Sequence, residues 1–195
     1  MTPAPPAQIA ELAQLLRDRS VRLGEFTLAS GRTSSYYVDA RRTTMSARGL
    51  ELIGELGLAA IRDAGWDAAV VGGLTLGADP VAYAVAMASR QAPPYLDAFT
   101  VRKEPKGHGA RRQIEGCFHE GVRAVVVEDV ITTGQSALRA AEAVTAAGGV
   151  VAGVLAVVDR EEGGRGAIEH AGYQLRVLVS LGQLGISKLD GNGSA

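Results

Sequence analysis

One stretch constrains the chain more than any other. Ala124-Val125-Val126-Val127 runs straight into Glu128-Asp129 and then into Val130-Ile131-Thr132-Thr133-Gly134-Gln135-Ser136. A short apolar run with no polar face reads as a strand buried on both sides. Residues 123–127 are therefore predicted as a strand that stops at the two acids, and the turn that follows opens a helix predicted over residues 136–147. Further apolar runs at residues 68–72, 95–101, 150–158 and 174–179 alternate with helical segments. One of these is marked by Leu50, Ile53, Leu56 and Ile61, and another by the alanine-rich residues 80–88 with Pro80 in the first turn. Strands alternating with helices predict an α/β fold, a Rossmann-like parallel sheet with flanking helices.

The N-terminal residues 1–45 lack that alternation. Ile9, Leu12, Leu15 and Leu16 mark one face of a helix, and residues 25–40 read as two short strands around Ser30-Gly31-Arg32-Thr33. This predicts a small N-terminal cap over residues 1–45, a core of residues 46–186 and a loose tail at 187–195. With 47% hydrophobic and 21% charged residues among 195, the chain can bury such a core and is neither disordered nor fibrous. The net charge of −1 leaves no room for a broad nucleic-acid-binding face, so anion binding must be local. No run approaches the ~18 apolar residues of a membrane span, and residues 1–8 have neither the basic start nor the apolar centre of a signal peptide. The single cysteine, Cys117, cannot form an intrachain disulfide, and a cytoplasmic setting is expected.

The 124–136 segment also carries chemistry. In open α/β sheets ligands gather at the carboxyl ends of strands, and a helix N-terminus with free N–H groups holds a phosphate. Gly134 would let the backbone approach that anion. Glu128 and Asp129 would repel phosphate alone, but they suit a ligand that also carries sugar hydroxyls and a metal. A ribose 5-phosphate has these features, with Val130, Ile131, Thr132, Thr133, Gly134, Gln135 and Ser136 forming the phosphate cradle. The alternative is a strand and a capped helix with both acids on a solvated loop. Neither GxxxxGK[ST] nor GxGxxG occurs.

The order of four apolar residues, two acids and Thr-Thr-Gly resembles the signature by which type I phosphoribosyltransferases hold PRPP (5-phosphoribosyl 1-diphosphate). A second segment narrows the resemblance. Residues 102–112, Arg102-Lys103-Glu104-Pro105-Lys106-Gly107-His108-Gly109-Ala110-Arg111-Arg112, hold five Lys or Arg against one Glu, and their glycines and proline suit a loop that closes on a polyanion. On charge alone they could equally form a solvated hairpin. Their order resembles the catalytic loop of orotate phosphoribosyltransferases. The segments Phe26 to Arg32, Tyr36-Tyr37-Val38-Asp39 and Val157-Val158-Asp159-Arg160-Glu161-Glu162-Gly163-Gly164 resemble that family too.

The resemblance implies transfer of ribose 5-phosphate from PRPP to orotate. It implies that Arg102, Lys103, Lys106 and His108 contact the diphosphate, with Lys106 and His108 both open as proton donor. It assigns Tyr36, Tyr37, Thr132 and Arg160 to orotate, and the turn Gly73-Leu74-Thr75 to pyrophosphate through backbone N–H groups. It also implies Mg²⁺ carried mainly by PRPP, with no direct protein ligand and Asp129 reaching it through water, and a homodimer whose basic loop serves the neighbouring site. The chain departs from many bacterial members at Ala29 and at Thr75-Leu76, where those members carry lysine or a Tyr-Lys pair. A purine phosphoribosyltransferase would share the PRPP site but lack the Lys-x-His loop, and a non-catalytic PRPP-binding regulator would need neither that loop nor Arg160. His119, His170 and Cys117 lack the spacing of a zinc site, and Trp66 is expected to pack between a helix and a strand.

Overall fold

The apolar runs become strands of one sheet. The computed structural model describes residues 6–27, 33–104 and 113–186. It begins with helix α1 (Pro6–Ser20), a hairpin of β1 (Val21–Thr27) and β2 (Thr33–Val38), the short α2 (Arg41–Thr44) and α3 (Ala47–Asp63). There follow β3 (Val70–Leu74), α4 (Ala78–Ser89), β4 (Asp97–Val101), β5 (Ile114–Gly116) and β6 (Arg123–Ile131). The chain continues with α5 (Gln135–Ala146), β7 (Val150–Asp159), α6 (Gly164–His170), β8 (Leu175–Ser180) and a 3-10 turn at Gly182–Leu184.

The sheet order is β5-β4-β3-β6-β7-β8, parallel except for β5, which pairs antiparallel with β4 at one edge. Successive side chains point to opposite faces. Val71, Val125, Val127, Leu155 and Val157 therefore share a core with α1, α3 and α4. Val70, Ala124, Val126, Val154 and Ala156 share the other with α5 and α6. Each fully buried aliphatic side chain contributes roughly 1.5–3 kcal/mol relative to exposure, which is why the strands tolerate no polar face. Helix α1 belongs to the first of these cores through Leu12 and Leu16, and Arg17 anchors it to the carbonyls of Gln183 and Leu184. Among the described residues before 46, only the hairpin forms a separate two-stranded sheet. Trp66 is buried at a helix–strand junction and donates its Nε1 to Gln174.

The predicted end of the 123–127 strand needs correction. β6 runs through both acids to Ile131, because β7 pairs with it as far as Ile131 opposite Asp159. The acids are therefore part of the sheet. The helix after the turn starts at Gln135, one residue earlier than predicted, and β1 starts at Val21 because Val21 pairs with Val38.

Candidate active site

The carboxyl ends of β3, β6 and β7 lie side by side. Near the end of β6, Glu128 is only 7% exposed and Asp129 is half-buried. Asp129 Oδ1 accepts the Val130 N–H at 2.9 Å. Burial, and then the charge and hydrogen bond of Asp129, push the Glu128 carboxyl up to about 9. Burial also raises Asp129, opposed by Glu128, the Val130 amide and the Arg41 charge. The pair thus holds a proton near neutral pH, and Glu128 Oε2 is buried with no partner. Such an oxygen fits a hydroxyl donor or a hydrated cation.

The β3–α4 turn presses on these acids. A Cβ at Gly77 would lie 2.5 Å from Asp129 Oδ1, so a larger residue there would have to displace that carboxylate. Gly73 and Leu74, predicted as part of the pyrophosphate turn, are instead in β3, paired with Thr100 and Val101. Thr75 donates its amide to the Val101 carbonyl at 2.8 Å. The turn proper is therefore residues 75–77, and the amides left for an anion are those opening α4, whose N-cap Gly77 has no side chain to occupy them.

At the end of β6, Val130 packs against one core and Ile131 into the other. Thr132, Thr133, Gln135 and Ser136 are partly or fully exposed around Gly134, the left-handed N-cap of α5 (φ 80°). No side chain caps α5, so its opening N–H groups face outward unspent. This turn rests on α6: a Cβ on Gly164 would meet Ile131 Cγ2 at 2.3 Å and the Thr132 carbonyl oxygen at 2.5 Å.

Arg160 follows β7 directly and donates its backbone N–H to the Ile131 carbonyl at 3.0 Å, which brings it beside Thr132. Its side chain is buried, with 7% exposure. Its guanidinium lies over the Tyr36 ring, 5.1 Å from the centroid, and Nη2 binds Glu162 at 2.6 Å. Nε is buried without a partner. The neighbouring Asp159 is buried, accepts the Glu161 amide at 2.7 Å and pairs with Arg165 at 3.4 Å, which fixes the segment. Tyr36 and Tyr37 alternate across β2, so Tyr36 turns inward to Arg160 while Tyr37 is exposed and meets Phe26 at 5.8 Å.

Arg102 pairs with Glu115 at 3.6 Å, and Lys103 borders a cleft of about 270 Å³ with Leu74, Gln113 and Arg139. Lys106, His108 and Ala29 lie outside the described residues. Sequence reasoning missed Arg41, whose guanidinium is held by Asp39 at 2.8 Å. The Asp39 hydrogen bond and then the Asp39 charge raise the Arg41 pKa, and the more distant Asp129 charge adds to this in the same direction. The only signal for it was its position just after Tyr36-Tyr37-Val38-Asp39. Among the described residues, no three His, Cys, Asp or Glu side chains gather as a metal centre, and no helix is long and apolar enough to cross a membrane.

A parallel sheet ending in an acid pair, a hydroxyl turn and an uncapped helix defines a type I phosphoribosyltransferase. No protein-family model matches the chain. It is 48% identical over 177 residues to the orotate phosphoribosyltransferase of Aquifex aeolicus, covering 89% of this chain and 96% of that one. The orotate phosphoribosyltransferase of Mycobacterium tuberculosis H37Rv, solved in complex with Fe(III) dicitrate, superposes with a TM-score of 0.83 at 50% identity over 92% of this chain and 99% of that one. The same enzyme in complex with PRPP gives 0.75 at 43% identity over 92% and 93%. The chain belongs to the orotate phosphoribosyltransferase family, which are pentosyltransferase enzymes.

Proposed function

We propose that the chain transfers ribose 5-phosphate from PRPP to orotate, forming orotidine 5′-monophosphate and pyrophosphate with Mg²⁺ as cofactor, a step of pyrimidine nucleotide synthesis. The observation that carries this reading is Arg160, buried beside Thr132 at the strand end with an unpartnered Nε. A buried cation with spare donors suits a small planar carboxylate such as orotate, with Tyr36 stacked against the guanidinium and Thr132 as a second donor. The PRPP complex of the mycobacterial relative supports the other substrate.

In this reading Glu128 and Asp129 accept the ribose hydroxyls, and the turn from Thr132 to Ser136 with the first amides of α5 holds the 5-phosphate. Mg²⁺, when bound, would neutralise the diphosphate, with Asp129 reaching it through water. The orphaned Glu128 oxygen and the adjoining Asp129 fit such a hydrated cation. Arg41, Arg102, Lys103, Lys106 and His108 would meet the charge that develops on the leaving diphosphate, which is where catalytic stabilisation counts most. No covalent nucleophile is required, because holding the orotate nitrogen in line with C1 removes most of the entropic cost. The cap at residues 1–45 would cover the base, and the basic loop would reach the partner site of a homodimer.

The test is orotate depletion with PRPP, measured with Mg²⁺ and with a chelator, and with adenine, hypoxanthine and uracil as competing bases. Loss of orotate only when PRPP and Mg²⁺ are both present is expected. Equal use of uracil would show that Arg160 does not select the base.

A further inference from the structure

Asp79 stands in the first turn of α4, two residues beyond the turn at 75–77. An acid there is favoured by the helix N-terminus, yet its charge would repel a diphosphate bound next to it. Its contacts point to a structural task instead. Oδ2 accepts the Thr75 hydroxyl at 2.7 Å and Oδ1 accepts the Thr100 hydroxyl at 2.9 Å. Both oxygens are thereby engaged, one by the turn and one by β4. The Tyr83 hydroxyl lies 3.3 Å from Thr100 Oγ1 and closes the cluster. Together with the bond from the Thr75 amide to the Val101 carbonyl, the turn is tied to β4 by both backbone and side chain. β4 leads directly into Arg102 and Lys103, the root of the basic loop, and a cavity of about 490 Å³ opens between turn and root.

We propose that Asp79 is a positioning residue for the diphosphate end of the substrate. It clamps Thr75 to Thr100, so that the 75–77 turn and the root of the basic loop keep a fixed separation across that cavity. The inference rests on the assignment of this turn to the diphosphate. It does not require Asp79 to touch the ligand, because both of its oxygens are already engaged by hydroxyls.

The test compares Asp79→Ala, Thr100→Val and their double mutant with the wild type. The readouts are KM for PRPP, KM for orotate, kcat, melting temperature, and calorimetric binding of PRPP and of inorganic pyrophosphate. For Asp79→Ala, which removes both hydroxyl contacts, KM for PRPP should rise at least about tenfold, the scale of a hydrogen bond to a charged group, and pyrophosphate binding should weaken in parallel. KM for orotate should stay put. Thr100→Val should move the same two quantities less, and the double mutant should be no worse than Asp79→Ala, because both changes break one network. A folded Asp79→Ala with unchanged PRPP and pyrophosphate affinity would overturn the proposal, as would equal losses for PRPP and orotate, which would mark a general helix-start role. If Asp79→Ala does not fold, Thr100→Val decides by the same criteria. A wild type that binds PRPP and pyrophosphate but consumes no orotate would overturn the proposed reaction and leave the Asp79 comparison to be decided by binding alone. A wild type that binds neither would overturn both.

Discussion

Glu128 makes the stability of the fold depend on pH. Burial and then Asp129 raise its carboxyl from 4.5 to about 9, so the folded state prefers the protonated form. In the unfolded chain the same group ionises near 4.5. Stability from this group is therefore full below that value and is lost as pH rises through the folded pKa near 9. Glu128→Gln, neutral at every pH, should melt higher than the wild type at pH 8, and the gap should narrow toward pH 5 in calorimetric scans. A gap independent of pH would remove the proton from Glu128. Binding should reveal the same proton. Ribose hydroxyls and a cation favour the carboxylate, so PRPP with Mg²⁺ should release about one proton near pH 7.5 by linkage, read from the dependence of binding enthalpy on buffer ionisation. Arg160 allows a second residue-scale prediction. Lysine lacks both the planar stack and the fork, so Arg160→Lys should lose the Tyr36 and Glu162 contacts together. We expect KM for orotate to rise by the equivalent of roughly 1.5–3 kcal/mol, with KM for PRPP unmoved. A change shared equally by both substrates would mean that Arg160 supports the fold rather than reads the base.

At the scale of elements, the turn proposed to hold the 5-phosphate rests on a helix the sequence did not announce. α6 has seven residues and its packing role rests on Gly164, which abuts Ile131, the Thr132 carbonyl and the Gly134 amide. Gly164→Ala should force the 132–134 turn outward at a cost of roughly 1–3 kcal/mol, the range for overpacking. PRPP affinity should fall while the sheet keeps its far-UV circular dichroism. An unchanged KM for PRPP would show that the turn yields without cost. What was legible follows from period and length. Five apolar runs became β3, β4, β6, β7 and β8, and a turn and helix follow the two acids as the residue order predicts. β5 is only three residues long and too short to show a period. The run of β6 through Glu128 and Asp129 was not legible either, because acids end most apolar strands and only pairing with β7 carries this one on. The opposite orientation of Tyr36 and Tyr37 follows from strand alternation and could have been read. The ion pair of Arg41 with Asp39, two residues before it, was the part of that segment no motif flagged.

At the scale of the whole molecule, the proposed homodimer leads to a prediction about which site each basic loop serves. Arg102 and Lys103 leave β4 beside their own 75–77 turn, whereas Lys106 and His108 lie farther along, outside the described residues. If the loop crosses a homodimer, a lesion in the loop and a lesion in the cradle fall on different sites. Lys106→Ala should cut turnover far more than PRPP affinity, since the loop acts mainly as charge develops on the leaving group. Asp129→Asn should weaken PRPP use on its own subunit. Each mutant dimer alone should be nearly inactive. In a hybrid, the Lys106→Ala subunit keeps a sound cradle and receives a sound loop from its Asp129→Asn partner, while the other site carries both lesions. Random exchange makes half the dimers hybrid with one good site of two, so activity should recover to about a quarter of wild type if sites act independently. The measurement is turnover against time after mixing, with exchange followed by mass spectrometry of differently tagged subunits. Complete exchange without recovery would mean that each loop closes over its own subunit, and the diphosphate contacts of Lys106 and His108 would then have to be made in cis.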